Sequence, residues 1–189
     1  MILLLNGPPY SGKDTIADII VKNYTNWNHK KLSRPLKQTI RNAFSLSPVE
    51  IGFLEANKEH SLDIFNNTSY RDTQISLSEE WFKPKFGDNI FGKLAVRELK
   101  FIAGHTVYSD CGFYNEAREI FLAFPKQVHI LRLYRKEANY DNDSRDYIPT
   151  QFFTDKTYMQ NLYNNYDLEM LEIQVRKVMA AWSIYPREN

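Results

Sequence analysis

Apolar residues gather in short runs at Ile2 to Leu5, Thr106 to Ser109 and Val128 to Tyr134, with a weaker run at Asn161 to Tyr163. Runs this short, bounded by polar or turn-forming residues, predict strands buried on both faces. A three/four periodicity takes over between them, at Thr15 to Tyr24, Pro35 to Phe44, Asn115 to Ala123 and Leu168 to Trp182. In the last segment Leu168, Leu171, Val175, Val178 and Trp182 fall on one helical stripe, and Asp167 stands where an N-cap belongs. Strands alternating with helices predict an α/β fold with a doubly wound parallel sheet of about five strands, binding its ligand at the carboxyl ends of the strands. From about Pro35 to Ile102 strand signals are scarce, and short helical pieces break at Pro48, Pro84 and Gly87. The reading is one domain over 1–189 with a helical insertion at about 35–102.

The first strand leads straight into Gly7-Pro8-Pro9-Tyr10-Ser11-Gly12-Lys13-Asp14-Thr15. The spacing is GxxxxGK between a strand and a helix, the setting of a phosphate-binding loop. Such a loop turns successive backbone N–H groups on one concavity, where the helix dipole also favours an anion. Gly7 and Gly12 admit the tight backbone, Ser11 lies within the loop, and Lys13 adds a cation toward the β and γ phosphates of ATP. The residue after the lysine is Asp14, where a magnesium-holding Ser or Thr is usual, and the hydroxyl comes next at Thr15. Asp14 suits Mg²⁺ directly or through water, and Thr15 suits the α phosphate, while helix capping is the plainer role for Asp14.

Composition narrows the classes. The 189 residues, 43% hydrophobic, suffice for one buried core, and a net charge of +1 gives no overall field for a nucleic-acid polymer or an anionic membrane. Cys111 is the only cysteine, which excludes an internal disulfide and fits the reducing cytoplasm. No apolar run has the length of a membrane span or a signal-peptide core. The four histidines and Cys111 show no zinc-ligand spacing, so no structural metal is expected.

Several segments resemble the phage deoxynucleoside monophosphate kinases, of which the T-even phage enzyme is the familiar member. SGKDTIAD at 11–18 is similar to that family's loop, including the Asp after the lysine; KKLSRPLKQTI at 30–40 resembles its second segment; YSDCGFYNEAREI at 108–120 resembles its strand-end SD and NEA helix start. HILRLYR near His129 and NLYNNYDLEMLEIQVRKVM near the end are similar to its last two strands and closing helix, and the middle matches less clearly. The resemblance implies transfer of the γ-phosphoryl of ATP, with Mg²⁺, to a small-molecule deoxynucleoside monophosphate, and allows a homodimer. Relatives carry an arginine after SD where this chain has Gly112, so that cation is expected from elsewhere, with Arg118 and Arg71 as candidates.

Phosphoryl transfer to a phosphate oxygen needs alignment and charge neutralisation more than a base. Lys13, Arg132 within the Val128 run and Arg135 at its end are the candidate catalytic cations, with a structural pairing as the alternative for Arg132 and a solvated role for Arg135. Arg145, in a polar stretch at about 136–150, is a candidate lid residue over ATP, and a disordered surface loop is the competing reading. Asp110, after Val107-Tyr108-Ser109, suits water-mediated magnesium or orientation of Lys13, against a capping or turn role. Ser33, Arg34, Lys37 and Arg71 are candidate acceptor-phosphate contacts, and Trp81, in an aromatic and basic stretch, is a candidate for stacking on the acceptor base, although core packing explains such aromatics too. The alternatives carried are a kinase of another acceptor, such as dephospho-coenzyme A or a modified pyrimidine nucleotide, and a non-catalytic nucleotide-binding regulator. A nucleic-acid motor would need an extended basic groove.

Overall fold

The computed structural model describes residues 1–141, 143–149 and 158–187. The chain divides into two compact units, Met1–Leu32 with Gly92–Asn189, and Ser33–Phe91.

The first unit is built on a five-stranded sheet, β1 (Ile2–Asn6), β2 (Trp27–Lys30), β5 (His105–Cys111), β6 (Val128–Tyr134) and β7 (Met159–Tyr163), in the order β2-β5-β1-β6-β7. Every pairing is parallel. β1 lies at the centre and is buried throughout, which is why its sequence shows an unbroken apolar run. The period of two survives inside that run. Leu3 and Leu5 share a cluster with Val107, Leu131, Leu133 and Leu162 under α1 (Lys13–Asn23) and α8 (Leu168–Ala181). Ile2 and Leu4 share the opposite cluster with Tyr108, Val128 and Ile130, covered by α7 (Tyr114–Ala123) and by Ala95 of α6 (Ile90–Leu99). All five strands therefore end on one edge of the sheet, the side on which open parallel sheets bind ligands.

Differences from the sequence reading have local causes. β2 went unread because Trp-Asn-His-Lys is an edge strand with only Trp27 buried, so it needs no apolar run. β5 extends to Cys111, which puts Asp110 inside the strand rather than after it. α1 starts at Lys13, two residues before its periodicity begins, because its first turn faces the loop and carries polar side chains. The N-cap is Gly12, so Asp14 is a first-turn acid and not the cap.

The second unit contains α2 (Arg34–Ala43), α3 (Pro48–Ala56), a two-stranded antiparallel pair β3 (Ser61–Leu62) and β4 (Thr68–Ser69), α4 (Tyr70–Ser76), a π-helical stretch Leu77–Phe82 and α5 (Lys83–Phe86). Its own core is Ile40, Leu46, Leu54, Phe65 and Tyr70. Pro48 starts a helix rather than breaking one: it follows Ser47, whose hydroxyl accepts from the Glu50 amide while Glu50 accepts from the Ser47 amide.

Candidate active site

The site begins where β1 stops. Gly7 lies against β6 so closely that a Cβ would come within 2.9 Å of the Leu133 carbonyl oxygen. Gly12 turns the chain into α1 with φ 95°, a left-handed geometry that costs glycine nothing, and a Cβ there would stand 2.4 Å from Asn164 Nδ2. That amide, buried after β7, donates to the Ser11 carbonyl at 3.0 Å and fixes the loop from outside.

Lys13 Nζ donates to the carbonyls of Gly7 and Pro8, both at 2.6 Å, and reaches Ser11 Oγ at 3.4 Å. Burial, followed by the nearby Arg145 charge, lowers its pKa to about 8, although Asp14, Asp110 and Asp143 pull the other way. The ammonium is thus held at some cost beside another cation, a condition that an incoming polyanion relieves. Polyphosphate favours the charged form, so binding should take up a proton above pH 8, and affinity should fall by up to about tenfold per pH unit from there. In the empty protein the same residue has the opposite effect: its folded pKa lies below the unfolded value, so its penalty is fully present below pH 8 and fades as pH rises toward 10.5. Calorimetric titration with ATP from pH 7 to 10, in buffers of different ionisation enthalpy, measures that proton uptake.

Asp14 is already engaged. Ser109 Oγ donates to its Oδ1 at 2.6 Å and Lys31 Nζ to its Oδ2 at 2.9 Å. Burial raises its pKa, but the hydrogen bonds from Ser109 and Lys31, with the charges of Lys31 and His29, outweigh burial and hold it below the ordinary carboxylate value. Behind Ser109, His29 Nε2 lies 2.7 Å from Oγ and His29 Nδ1 lies 3.1 Å from Asp18 Oδ1. The sheet creates this cluster through an irregularity: β1 and β5 pair Leu4 with Tyr108 but Asn6 with Cys111, so β5 holds one extra residue at Ser109–Asp110. Asp110 Oδ1 accepts from the Leu32 amide at 2.7 Å, anchoring the chain as it leaves β2. Ser109, His29 and Lys31 had no sequence signal, because only the parallel pairing of β2 with β5 brings them to α1.

The two arginines of β6 separate. Arg135 donates to the Tyr10 carbonyl at 3.1 Å and so reaches the tip of the Gly7–Lys13 loop. Arg132 donates to the Ile148 carbonyl and lies 5.9 Å from the centroid of the Tyr147 ring, a structural pairing with the 139–149 segment. Its Nε is buried with no hydrogen-bond partner among the described residues.

The stretch expected as a lid or a disordered loop is neither helix nor strand in its described part, and residues 142 and 150 lie outside the described residues. It is tied down by Asn6, the last residue of β1. Asn6 Nδ2 lies within hydrogen-bonding distance of the Cys111 carbonyl at 3.1 Å, the Asp146 carbonyl at 3.0 Å and Tyr140 Oη at 3.2 Å, and Oδ1 accepts from the Ile148 amide at 2.8 Å. Ile148 is buried in the β-sheet cluster, and Tyr147 stacks on Tyr134. Two backbone groups of this part, the Asp146 carbonyl and the Ile148 amide, are paired to that buried side chain. Gly112 is covered by the stem of Arg145; Arg118 is exposed on α7, and Arg71 lies in the unit Ser33–Phe91.

In the second unit Ser33 is the N-cap residue of α2 and Arg34 its first residue. Lys37 pairs with Glu55 at 2.5 Å, and Glu55 also accepts from Tyr70 Oη at 3.2 Å; Arg71 pairs with Glu59. Trp81 is 43% exposed, with Phe82 and Phe86 edge-on to its ring. Thr15 is exposed in the first turn of α1. Among the described residues there is no group of three or more His, Cys, Asp or Glu that could hold a metal ion, and no helix long and apolar enough to cross a membrane.

No family model matches the chain, and no curated protein does. A solved structure of the Deinococcus radiodurans tunicamycin resistance protein aligns over 100% of this chain and 99% of its own, with a TM-score of 0.47 and 11% identity. The α/β fold is read from the strand order and the all-parallel pairing themselves.

Proposed function

We propose that this chain is a nucleoside monophosphate kinase, transferring the γ-phosphoryl of ATP to a deoxynucleoside monophosphate with Mg²⁺. The observation that carries the reading is the loop from Gly7 to Lys13 at the carboxyl edge of a parallel sheet, with Lys13 at its centre and Arg135 at its tip. Backbone N–H groups of the loop and of the first turn of α1, Thr15 included, would hold the α and β phosphates. Lys13 would exchange the Gly7 and Pro8 carbonyls for phosphate oxygens, and Arg135 would neutralise charge on the transferring group. Magnesium would supply neutralisation of the phosphate charge; the donor set fits it, since Mg²⁺ keeps most of its waters and asks for one or two carboxylates. Asp14 would supply one, held in place by Ser109, with Asp110 as the second-sphere acid.

The transfer balances without a base. An oxygen of the acceptor phosphate bonds to the γ-phosphorus as the bond from that phosphorus to the β,γ-bridging oxygen breaks, leaving ADP and a nucleoside diphosphate. This favours a phosphate acceptor over a hydroxyl acceptor. A hydroxyl would need a carboxylate to take its proton; Asp14 already accepts hydrogen bonds on both oxygens and has a depressed pKa, and Asp110 accepts from the Leu32 amide on Oδ1, so Asp110→Asn is the variant that tests a hydroxyl acceptor. For the acceptor we assign Ser33, Arg34, Lys37 and Arg71 to its phosphate and Trp81 to its base, as the sequence suggests; all five lie in the unit Ser33–Phe91. Lys37 and Arg71 would have to leave Glu55 and Glu59 to reach it. The resemblance to the phage enzymes supports DNA precursor synthesis in a host cytoplasm as the setting, and a homodimer as a form to look for.

The test is ADP release from ATP and Mg²⁺ against all common deoxy- and ribonucleoside monophosphates, 5-hydroxymethyl pyrimidine nucleotides and dephospho-coenzyme A. Release with one or a few deoxynucleoside monophosphates is expected. Release with dephospho-coenzyme A alone would replace the acceptor class, and ATP binding without any acceptor-dependent release would favour a regulator.

A further inference from the structure

Arg145 is held more tightly than a surface arginine, and the device is built from residues that the reading above leaves without a role. Gly112 follows β5 directly and is buried. A Cβ built on it would lie 2.7 Å from each of Cβ, Cγ and Cδ of Arg145, so the arginine stem lies flat on the glycine backbone. The Cβ of Arg145 cannot yield to that contact without moving its own main chain, and the main chain is fixed: the Asp146 amide donates to the Gly112 carbonyl at 3.0 Å, and Asn6 holds both the Asp146 carbonyl and the Ile148 amide.

The head group is fixed as well. Asp143 takes Arg145 Nε on Oδ1 at 2.8 Å and an Nη on Oδ2 at 2.5 Å, a two-pronged contact, and Oδ1 also accepts from the Arg145 amide at 3.0 Å. Both side chains are largely buried, at 24% and 13% exposure, so the pair is screened less than a surface ion pair. Asn6, which anchors the segment, adjoins Gly7, whose carbonyl receives Lys13. Arg145 is near enough to Lys13 for the two charges to repel. Lys13 on the Gly7 carbonyl after β1 and Arg145 on the Gly112 backbone after β5 thus put two cations at the carboxyl ends of neighbouring strands, an arrangement suited to an anion of high charge.

We propose that Asp143 and Gly112 are positioning residues that hold the Arg145 guanidinium beside Lys13 as a second cation on the bound polyphosphate. The inference rests on the nucleotide-binding reading and deepens it. Asp143 acts through Arg145, by fixing the plane and height of its fork. Gly112 acts by leaving room for the stem. A carboxylate near a polyphosphate site would, through its charge alone, weaken anion binding. A positioning carboxylate does the reverse, and the sign of its removal separates the two.

The experiment is a double-mutant cycle on Asp143→Ala and Arg145→Ala, read as the dissociation constants of ATP and of inorganic tripolyphosphate by calorimetry, with melting temperatures recorded throughout. Asp143→Asn, which keeps one acceptor, serves as the milder variant should Asp143→Ala fail to fold. Each single variant is expected to weaken both ligands by about tenfold, the scale of a lost charge-assisted hydrogen bond. The double variant should be no weaker than Arg145→Ala. Gly112→Ala should weaken both ligands to the level of Arg145→Ala, and in an Arg145→Gly background, where the stem that meets the added Cβ is gone, it should add nothing, which a general loss of packing would not reproduce. The proposal is overturned if removing Asp143 tightens binding, if the two single effects multiply, or if Gly112→Ala binds like the parent. Loss of binding in Lys13→Ala alongside any of these results would leave the nucleotide reading standing without this inference. Failure of the parent chain to bind either ligand would remove both.

Discussion

Lys13→Ala should lower the rate of nucleotide-dependent turnover on the order of 10³-fold or more, the scale on which a charge-stabilising group at a transferring phosphoryl acts. Its fold should be retained. The side chain makes its contacts with the Gly7 and Pro8 carbonyls, and burial beside Arg145 lowers its pKa, so the charged form is held at a cost in the empty protein. Truncation removes that cost along with the hydrogen bonds, and circular dichroism and melting temperature should stay close to the parent's. Lys13→Arg should not restore activity. The ammonium reaches three acceptors within the loop, a point-charge geometry that a planar guanidinium does not reproduce. Equal turnover in the parent and Lys13→Ala would break the link between the loop and the chemistry.

Asn6→Leu should be the most damaging single change outside the loop, in both stability and binding. Asn6 is fully buried, and its amide joins two carbonyls, an amide N–H and a tyrosine hydroxyl drawn from β5 and from the 140–148 segment. Leucine fills a similar volume and satisfies none of them. Unpaired buried backbone groups cost about 1–3 kcal/mol each before water re-enters, and a net loss of about 3 kcal/mol is expected. For a chain of this size that lowers the melting temperature by about 6–12 °C. The opening should be local as well as global. Hydrogen exchange at the Ile148 amide, which donates to Asn6, should accelerate well beyond exchange in β1, and ATP affinity should fall because Arg145 loses its platform. An unchanged melting temperature, with Ile148 protected as before, would show that the segment is held by Tyr147 and Ile148 packing alone.

The sheet and the glycine-bounded turn after β1 were legible in the sequence because each is local. Ile2 to Leu5 announces a strand buried on two faces, and Gly7, Gly12 and Lys13 announce the turn that follows, all within one stretch of chain. β2 was invisible for the opposite reason: an edge strand with one buried residue needs no apolar pattern. The partners of Asp14 were out of reach as well. Ser109 lies 95 positions away in β5, and nothing in Tyr-Ser-Asp distinguishes a serine that bonds to Asp14 from one in a turn; the strand irregularity at Ser109–Asp110 is visible only in the fold. Arg145 was legible only as a cation in a polar stretch. That it lies on Gly112 and is gripped by Asp143 depends on Asn6, an unremarkable polar residue in sequence and the best-connected side chain of the strand end in the fold. Arg132 lies inside an apolar strand, which suggests a ligand contact or a structural partner, and its guanidinium donates to the Ile148 carbonyl.

The central claim is that this loop passes a phosphoryl group to a nucleoside monophosphate. The measurement that tests it most directly follows the γ-phosphate itself: ATP labelled at the γ position, Mg²⁺ and each deoxynucleoside monophosphate in turn, with the products separated and the label located. The account predicts label in a deoxynucleoside diphosphate, formed in step with ADP and absent with Lys13→Ala. Label appearing only as inorganic phosphate, or remaining in ATP with every acceptor, would contradict it.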